Sequence, residues 1–358
     1  MSAHPPPAAA AAVAAGSAGA RFETAATRLF GTRLPIVAGG LMWLANADYV
    51  AAASRAGMIG FITAATFPDD AALRREIRRC REQCEGGPFG VNVSMLPKLL
   101  EGDRTQAVVD LIIDEGVRFV ETSGRSPAPY LPALKAAGIV VLHKVPAVRY
   151  AVKAQEIGVD AVSIVGAECG GHPGMDPVGS LVNAAWAREQ LRIPYLIGGG
   201  IGCGSQVAAV IAMGAAGVSV GTRFLVAEEI WAGEGYKRAV IAAQPTDTML
   251  CMTRVSNPMR VLRNATSRQV QQLEAERPEI GIADLLPLVS GRHARAAYER
   301  GDASSGMLSM GHALAFTDRI EPLAAIAARM EREMLAAAER LGAARPGIAA
   351  AAVAATAA

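Results

Sequence analysis

Between residues 34 and 229 the sequence alternates short runs rich in β-branched residues with longer runs of helical periodicity. This alternation predicts a parallel sheet covered by helices, because parallel strands are joined by crossovers and helices provide them. Strands are expected over residues 36–38, 59–63, 90–94, 119–122, 140–143, 161–165, 195–197 and 217–220, with helices over 48–56, 70–84, 105–115, 130–137, 147–157, 181–190 and 205–213. Several strands are continuously apolar, which is typical of strands buried on both faces.

The position of a glycine cluster decides between two folds of this class. A doubly wound open sheet carries its glycine fingerprint at the first strand-to-helix turn, whereas here Gly198, Gly199 and Gly200 follow the seventh strand. Eight strands with crossover helices also suffice to close a barrel. We therefore predict an α/β fold, namely a (β/α)8 TIM barrel with a C-terminal helical cap.

The chain beyond the eighth strand shows no strand pattern after Phe224 and is interpreted as helices and loops. We predict the barrel over residues 21–235, a helical cap and substrate region over 236–315, and a helix that packs on the barrel over 316–342. Residues 1–20, rich in Ala and Pro, and residues 343–358, rich in Ala, are predicted to be disordered tails.

The composition excludes several classes of protein. A formal net charge of +2, 19% charged residues and 5% aromatic residues provide neither the basic surface nor the stacking rings of a nucleic-acid-binding protein. Much of the mean hydropathy of +0.26 comes from alanine, and neither tail offers the ~18 strongly apolar residues of a membrane span. Five cysteines without a second pair at ligand spacing indicate neither a disulfide framework nor a zinc site. We expect a cytoplasmic protein without nucleic-acid, membrane or metal partners; its oligomeric state stays open.

Two successive strand ends predict a phosphate site. The seventh strand runs into Gly198, Gly199 and Gly200, and the eighth stops at Gly221 and Thr222. Glycines allow close approach of the backbone to an anion, and many (β/α)8 barrels bind phosphate after strands seven and eight. A phosphorylated cofactor is therefore expected. The alternative is that these glycines only form tight left-handed turns.

One histidine follows the sixth strand in a glycine-rich turn, in the run AVSIVGAECGGHPG at residues 161–174. His172 stands beside Gly170 and Gly171 at a strand end, where barrels place their chemistry, and imidazole exchanges a proton near neutral pH. A role in capping the loop is the alternative. Cys169, three residues earlier, is expected to be a small apolar filler rather than a catalytic thiol. Glu168 and Asp176 flank the loop, but their spacing does not make them an acid/base pair.

Seven segments together resemble the FMN-dependent nitronate monooxygenase family, formerly called 2-nitropropane dioxygenases. They are LPIVAGG, FGVNVSMLP, FVETSG, LHK, GAECGGHPG, GGGIG and VGTRF, spread over about residues 21–312. The segments GGLMW and LHKVPAVRYAVKA are similar to those of a branch of that family with NADH:quinone reductase activity. The resemblance implies FMN as cofactor, with NAD(P)H as a co-substrate if the quinone reductase branch is the better match.

The resemblance also implies roles for residues. Gly39, Gly40 and Leu41 would lie along the isoalloxazine ring, and Asn92 would contact the flavin unless it only caps a turn. Lys144 ends the expected fifth strand, where a buried cation would stabilise negative charge on reduced flavin, unless it is exposed at the barrel mouth. The predicted cofactor-binding set is Gly39, Gly40, Leu41, Asn92, Lys144, Gly170, Gly171, Gly198, Gly199, Gly200, Gly221 and Thr222. Gly198 stands where the family more often has Ser or Ala, so a hydroxyl contact is lost.

His172 matches the catalytic histidine of the family. It would accept the α-proton of a nitroalkane, hold the nitro group of a nitronate, or protonate a quinone oxygen. His143 is expected to be a packing residue, and His293 and His312 in the cap are weaker candidates for substrate contacts.

The predicted function is FMN-dependent oxidation of alkyl nitronates with O2 to a carbonyl compound and nitrite. An NAD(P)H:quinone oxidoreductase is the main alternative. A flavin enoyl-thioester reductase and a non-catalytic flavin-binding protein are more distant ones.

Overall fold

Eight parallel strands close into a barrel in the computed structural model, which describes residues 22–95 and 104–344. The strands are β1 (Ile36–Ala38), β2 (Ile59–Thr63), β3 (Phe89–Met95), β4 (Phe119–Gly124), β5 (Val140–Val145), β6 (Ala161–Val165), β7 (Tyr195–Gly198) and β8 (Gly217–Val220). Pairing of Ile36 with Val218 and of Ala38 with Val220 closes the ring between β1 and β8. The predicted TIM barrel is confirmed. β5 extends to Val145, so Lys144 lies inside the strand rather than at its end.

The amino-terminal end of the barrel is closed by a short helix that the sequence pattern did not predict. This helix, α1 (Ala25–Phe30), begins with a capping box at Thr24 and ends at Gly31 in the left-handed conformation. Phe30 packs edge-on against Phe119 of β4, with ring centroids 5.7 Å apart. Six residues are too few to show helical periodicity, so only the packing of this helix under the strands reveals it.

The crossover helices cover the outside of the barrel close to their expected positions. They are α2 (Ala47–Arg55), α3 (Asp70–Gln83), α4 (Thr105–Asp114), α5 (Leu131–Ala136), α6 (Val148–Glu156), α7 (Ser180–Gln190) and α8 (Gly204–Ala212). β2, β7 and β8 are buried at every position between these helices and the barrel interior. This burial explains why the strands are continuous apolar runs rather than alternating ones.

The cap differs from its prediction in two ways. It contains an antiparallel hairpin of β9 (Thr248–Cys251) and β10 (Met259–Leu262) in a stretch that was expected to hold only helices and loops. The hairpin strands have four residues each, too few for a period-2 pattern, and they are stabilised by contacts with the barrel. The expected boundary between residues 235 and 236 falls inside α9 (Glu234–Ala242), whose Lys237 ammonium donates to the Ala227 carbonyl oxygen after β8 and whose Tyr236 ring packs on Tyr298 of the cap. The remaining cap helices are α10 (Ala265–Glu276), α11 (Ile282–Val289) and α12 (Gly291–Arg300).

The last helix, α13 (Leu323–Ala343), packs on α8 and α2, as the prediction of a packing helix requires. A β-carbon on Gly204 would lie 1.8 Å from the carbonyl oxygen of Met330, so α8 and α13 approach at a distance that only glycine permits. The helix begins at Leu323 because Pro322 precedes it, and a proline disfavours helical conformation in the residue before it.

Several expectations concern residues outside the described ranges. The tail predicted over 1–20 lies wholly outside them, and so does the tail over 343–358 apart from Ala343 and Ala344. Among the residues that are described, no helix combines the length and apolarity needed to cross a bilayer. The same part of the chain contains no cluster of three or more side chains suited to a metal ion.

Candidate active site at the carboxyl-terminal rim of the barrel

The loop after β1 lies directly against β3 at the rim. The Gly39 N–H donates to the carbonyl oxygen of Val220 at 3.1 Å, which ties the end of β1 to the end of β8. A β-carbon on Gly40 would lie 2.7 Å from the β-carbon of Asn92. Glycine is therefore required at position 40 for the backbone to reach Asn92, and the two predicted site residues are brought together.

Three polar side chains meet at the upper layer of the barrel, and we call them the Glu121 network: Asn92, Glu121 and Lys144. The Asn92 amide donates to Glu121 Oε2 at 2.5 Å, and the Lys144 ammonium donates to the same oxygen at 3.2 Å. The Glu121 side chain is fully buried, whereas that of Lys144 is 25% exposed. The buried carboxylate is thus paired with a cation that is partly exposed, so Lys144 has an anionic partner within the chain that the sequence did not predict, and its predicted role beside reduced flavin stays a prediction.

The sequence gives Glu121 no predicted role, although the residue lies in the FVETSG segment. The available signal was a carboxylate inside an apolar strand, because such a group is costly to bury unless it is paired. Its other oxygen, Oε1, has no hydrogen-bond partner among the described residues, and the buried Tyr49 hydroxyl has none either. Burial, and then the charge of Glu121, raise the pKa of Tyr49, which keeps this phenol neutral.

The turn after β7 has the geometry of an anion cradle. Gly199 and Gly200 both have positive φ, +95° and +71°, so neither position suits a side chain. The Ser180 hydroxyl lies 3.0 Å from the carbonyl oxygen of Gly198 and 2.8 Å from that of Gly199. In a trans peptide the N–H points away from the carbonyl, so the Gly199 and Gly200 N–H groups point away from Ser180.

Those two N–H groups are available to a ligand. Within residues 22–95 and 104–344 they donate no hydrogen bond to the protein. Glu168 fixes the arrangement, because its carboxylate accepts hydrogen bonds from the Ser180 N–H at 3.0 Å and the Ser180 hydroxyl at 2.8 Å. Glu168 therefore positions the cradle instead of acting as an acid or base.

The turn after β8 stands beside the first-strand loop. A β-carbon on Gly221 would lie 3.5 Å from Leu41 Cδ2, which places these two predicted site residues next to each other. Thr222 is buried, and its hydroxyl accepts a hydrogen bond from the Gly311 N–H at 3.0 Å. Its hydroxyl hydrogen remains available as a donor. Gly198 is buried at the end of β7 against Ser219, so it supports the cradle from below.

His172 extends from a loop that the cap holds on both sides. Gly171 exchanges two backbone hydrogen bonds with Arg260 of β10, at 3.0 and 2.6 Å. Gly170 packs so closely on the chain at Met310 that a β-carbon there would lie 2.7 Å from the Met310 carbonyl carbon. His172 is exposed to solvent. Desolvation by the surrounding walls, and then the charge of Lys144, lower the pKa of His172, which favours a neutral ring able to accept a proton.

The remaining titratable residues that the sequence singled out have structural or surface positions. Cys169 is buried, and desolvation raises its pKa to about 12, so its thiol stays protonated, as a filler role requires. His143 is buried with its Nδ1 2.8 Å from the Thr122 hydroxyl, in agreement with a packing role. Asp176 pairs with Arg149 on the surface. His293 is exposed in the cap, whereas the His312 backbone N–H donates to the Glu168 carbonyl beside the cradle.

The cap contributes two site residues that the sequence did not indicate. The Arg260 guanidinium donates to the carbonyl oxygen of Ala167 at 3.1 Å, and Gly311 packs against Glu168 and Gly170. Neither residue carries a local pattern that marks it, because each acts on a loop distant in sequence. The cap and the histidine loop thus form one structure.

Residues 23–333 match the family model described as nitronate monooxygenase. The chain belongs to this family. The resemblance inferred from the motifs is thereby confirmed, and the protein is an enzyme of the oxidoreductase class.

Relatives in the family carry different names. The chain is 34% identical over 242 residues, 67% of its length and 65% of the relative's, to (3aS,4S,5R,7aS)-5-hydroxy-7a-methyl-1-oxo-octahydro-1H-indene-4-carboxyl-CoA dehydrogenase of Rhodococcus jostii. It is 26% identical over 306 residues, 74% of its length and 86% of the relative's, to a probable nitronate monooxygenase of Staphylococcus saprophyticus. The family name alone therefore does not fix the substrate.

Solved structures show the same architecture. FabK from Thermotoga maritima superposes with a TM-score of 0.83 at 30% identity, covering 90% of this chain and 99% of FabK. A nitroalkane oxidase from Streptomyces ansochromogenes superposes with a TM-score of 0.76 at 27% identity, covering 89% of this chain and 100% of the other. Both cover the barrel and most of the remaining chain.

Proposed function

We propose that this protein is an FMN-dependent oxidoreductase that oxidises alkyl nitronates with O2 to a carbonyl compound and nitrite. The observation that carries the proposal is the pair of N–H groups at Gly199 and Gly200, which have no hydrogen-bond partner among the described residues, on the same rim as His172. Membership of the nitronate monooxygenase family supports the choice of reaction.

The residues of the rim fit FMN. The Gly199 and Gly200 turn, with Gly221 and Thr222 beside it, suits a phosphate, because a β-carbon at Gly199 would lie only 3.0 Å from the Gly166 nitrogen and no side chain can occupy the turn. The backbone at Gly39, Gly40 and Leu41 would lie along the ring, beside Asn92 and Lys144. Roles for Gly170, Gly171 and Gly198 in binding stay predictions. When bound, FMN supplies the two-electron redox chemistry that side chains lack.

The side chains would bind and orient the substrate. A nitronate is an anion, and Lys144 offers a positive charge at the rim that the buried Glu121 only partly offsets. The His172 imidazole would donate a hydrogen bond to a nitro oxygen of a nitronate. With a neutral nitroalkane, the same imidazole would accept the α-proton, which requires its neutral form. Because its pKa is lowered, the acid limb of nitroalkane oxidation should lie below the ordinary histidine value near 6.5.

The test begins with the absorption spectrum of the purified protein, reconstituted with FMN if it is colourless. Anaerobic mixing with ethyl nitronate should change the flavin spectrum, and admission of O2 should release nitrite. Replacement His172→Ala should lower kcat/KM for nitroalkane by about 10²–10⁴-fold while FMN affinity stays unchanged. A protein that binds FMN but leaves nitronates and nitroalkanes untouched would overturn the proposed reaction.

A second candidate is oxidoreduction of a carbon skeleton held as a CoA thioester. It is favoured by one observation, the 34% identity with relatives named as CoA-thioester dehydrogenases. Anaerobic mixing with such a thioester, compared with ethyl nitronate, separates the two candidates by which compound reduces the flavin. The same anaerobic experiment tests the enoyl-thioester reductase alternative, if the flavin is first reduced with NADH and its reoxidation by an enoyl thioester is then recorded. The quinone reductase alternative, the use of NAD(P)H and a cytoplasmic location stay predictions.

A further inference from the structure

A cleft runs between the loop after β1 and the cap, and we call it the rim cleft. It has a volume of about 500 Å³ including its open mouth, and its walls include Leu41, Met42, Trp43, Met259, Val289 and Met307. None of the residues that line it is charged. Without the open mouth the enclosed volume is about 100 Å³. Three methionines in the lining suit ligands of varied shape, because their side chains are flexible and polarizable.

The wall is held in place at Trp43. This residue has φ +69°, a conformation that bulky side chains avoid, so neighbouring contacts must enforce it. Trp231 Nε1 donates to the Trp43 carbonyl oxygen at 2.8 Å, and the Arg295 guanidinium lies 5.6 Å from the centroid of its ring. The indole is therefore fixed in the cleft wall before any ligand arrives.

The rim cleft opens directly onto the candidate active site. Leu41 lines the cleft and also contacts the position beside Gly221 of the cofactor cradle. At the other end, Ser309 lines the cleft, and its hydroxyl is 4.0 Å from where a β-carbon on Gly171 would be, one residue before His172. A molecule in the cleft can thus place one end against the histidine loop while its body stays among apolar side chains.

We propose that the rim cleft binds the hydrocarbon body of the substrate, so that the enzyme prefers substrates with an aliphatic or alicyclic body over short or carboxylate-bearing ones. The inference rests on the proposed function for the identity of the reacting group, whereas binding of the hydrocarbon part of the substrate does not depend on that function. Each methylene buried there should strengthen binding about fourfold, from ~0.8 kcal/mol per CH2. A carboxylate in the same place would lose water without meeting a cation among the lining residues.

Binding is tested without turnover on the FMN-loaded protein. A series of 1-alkanols from propanol to decanol is titrated while the fluorescence of Trp43 is recorded. The dissociation constant should fall about fourfold per methylene until the cleft is filled and then level off. The response should be absent in Trp43→Phe, since Trp186 and Trp231 are outside the lining. Dissociation constants independent of chain length, or a response that persists in Trp43→Phe, would overturn the proposal.

Turnover is tested with a matched pair of variants at Met42, which is 42% exposed. With primary alkyl nitronates from ethyl to octyl, kcat/KM should rise with chain length in the native protein and in Met42→Leu. The rise should be lost in Met42→Glu, so that the ratio of kcat/KM for octyl nitronate to kcat/KM for ethyl nitronate falls to about one in that variant alone. Val289→Phe, which fills the cleft from the cap side, should shift the optimum to shorter chains.

The two proposals fail in different ways. If alkanols bind with the expected dependence on chain length and no nitronate is oxidised, the proposed reaction is wrong and the rim cleft stands. If nitronates are oxidised at rates independent of chain length in the native protein and in Met42→Glu, the rim cleft has no role in substrate binding and the proposed reaction stands.

Discussion

At the scale of single residues, Glu121 shows how a buried charge prepares a site. Its carboxylate accepts hydrogen bonds from Asn92 and Lys144 and is fully buried, so it offsets part of the field that Lys144 would otherwise exert at the rim. Lys144 is also one of the causes that lower the pKa of His172. Glu121 is therefore a positioning residue. Its charge offsets that of Lys144 beside the cofactor, and through Lys144 it affects the pKa of His172.

Replacement Glu121→Gln keeps the shape of the side chain and removes its charge. The unbalanced Lys144 should raise the reduction potential of bound FMN, on the order of 30 mV for each tenfold stabilisation of the reduced anion. It should also move the acid limb of nitroalkane oxidation to lower pH. Potentiometric titration and a pH profile measure both effects.

Glu115→Gln is the matched control, because Glu115 is equally buried, at 5% exposure, but pairs with Arg74 and Arg78 outside the barrel. Its replacement should affect stability and leave the potential unchanged. An unchanged potential in Glu121→Gln would contradict the assigned role.

A second residue, His143, should make the fold sensitive to acid. Burial lowers its pKa to about 4, and the nearby Lys144 contributes in the same direction. Because the unfolded chain binds this proton near pH 6.5 and the folded chain only near pH 4, the free energy of unfolding should fall by up to about 3 kcal/mol across that interval. His143→Gln, which can still hydrogen-bond to Thr122, should lose this dependence. Urea denaturation at pH 7 and pH 4.5 compares the two proteins, and equal losses in both would contradict the assignment.

At the scale of elements, the turn after β7 allows the conformational role of a glycine to be distinguished from its role in binding. Gly200 and Gly138 have nearly the same φ, +71° and +69°, but a β-carbon at Gly138 meets open space whereas one at Gly200 would lie 3.0 Å from Glu168. Both replacements by Ala should cost about 1–3 kcal/mol of backbone strain. Only Gly200→Ala should also weaken FMN binding, by an order of magnitude or more. Thermal denaturation and FMN titration check this pair, and equal FMN affinity in both variants would place the phosphate elsewhere.

At the scale of the whole molecule, the cap and the histidine loop depend on contacts between distant segments. A β-carbon on Gly311 would lie 2.3 Å from the Glu168 carbonyl oxygen and 2.4 Å from the Gly170 nitrogen, both backbone atoms. Gly311→Ala should displace the loop that carries His172 and lower kcat/KM about 10²-fold, since a shift of about 1 Å in a catalytic group has this effect.

Amide hydrogen exchange over residues 167–173 should also increase in Gly311→Ala. Gly281→Ala, in the same cap but in ordinary contact at 3.5 Å, serves as control and should change neither quantity. Unchanged exchange and turnover in Gly311→Ala would mean that the cap does not hold the loop.

The sequence by itself determined the barrel, because eight apolar strands separated by helices have few ways to bury both strand faces. It also placed His172 and the glycine turns at strand ends, where parallel strands bring them to one rim. The small elements could not be predicted, since the six residues of α1 and the four-residue strands β9 and β10 show no periodicity and are stabilised by tertiary contacts. Only the tertiary structure brought Glu121 between Asn92 and Lys144, Arg260 and Gly311 against the histidine loop, and Trp43 into the rim cleft. These arrangements depend on distances between segments far apart in the chain, and local sequence patterns do not predict such distances.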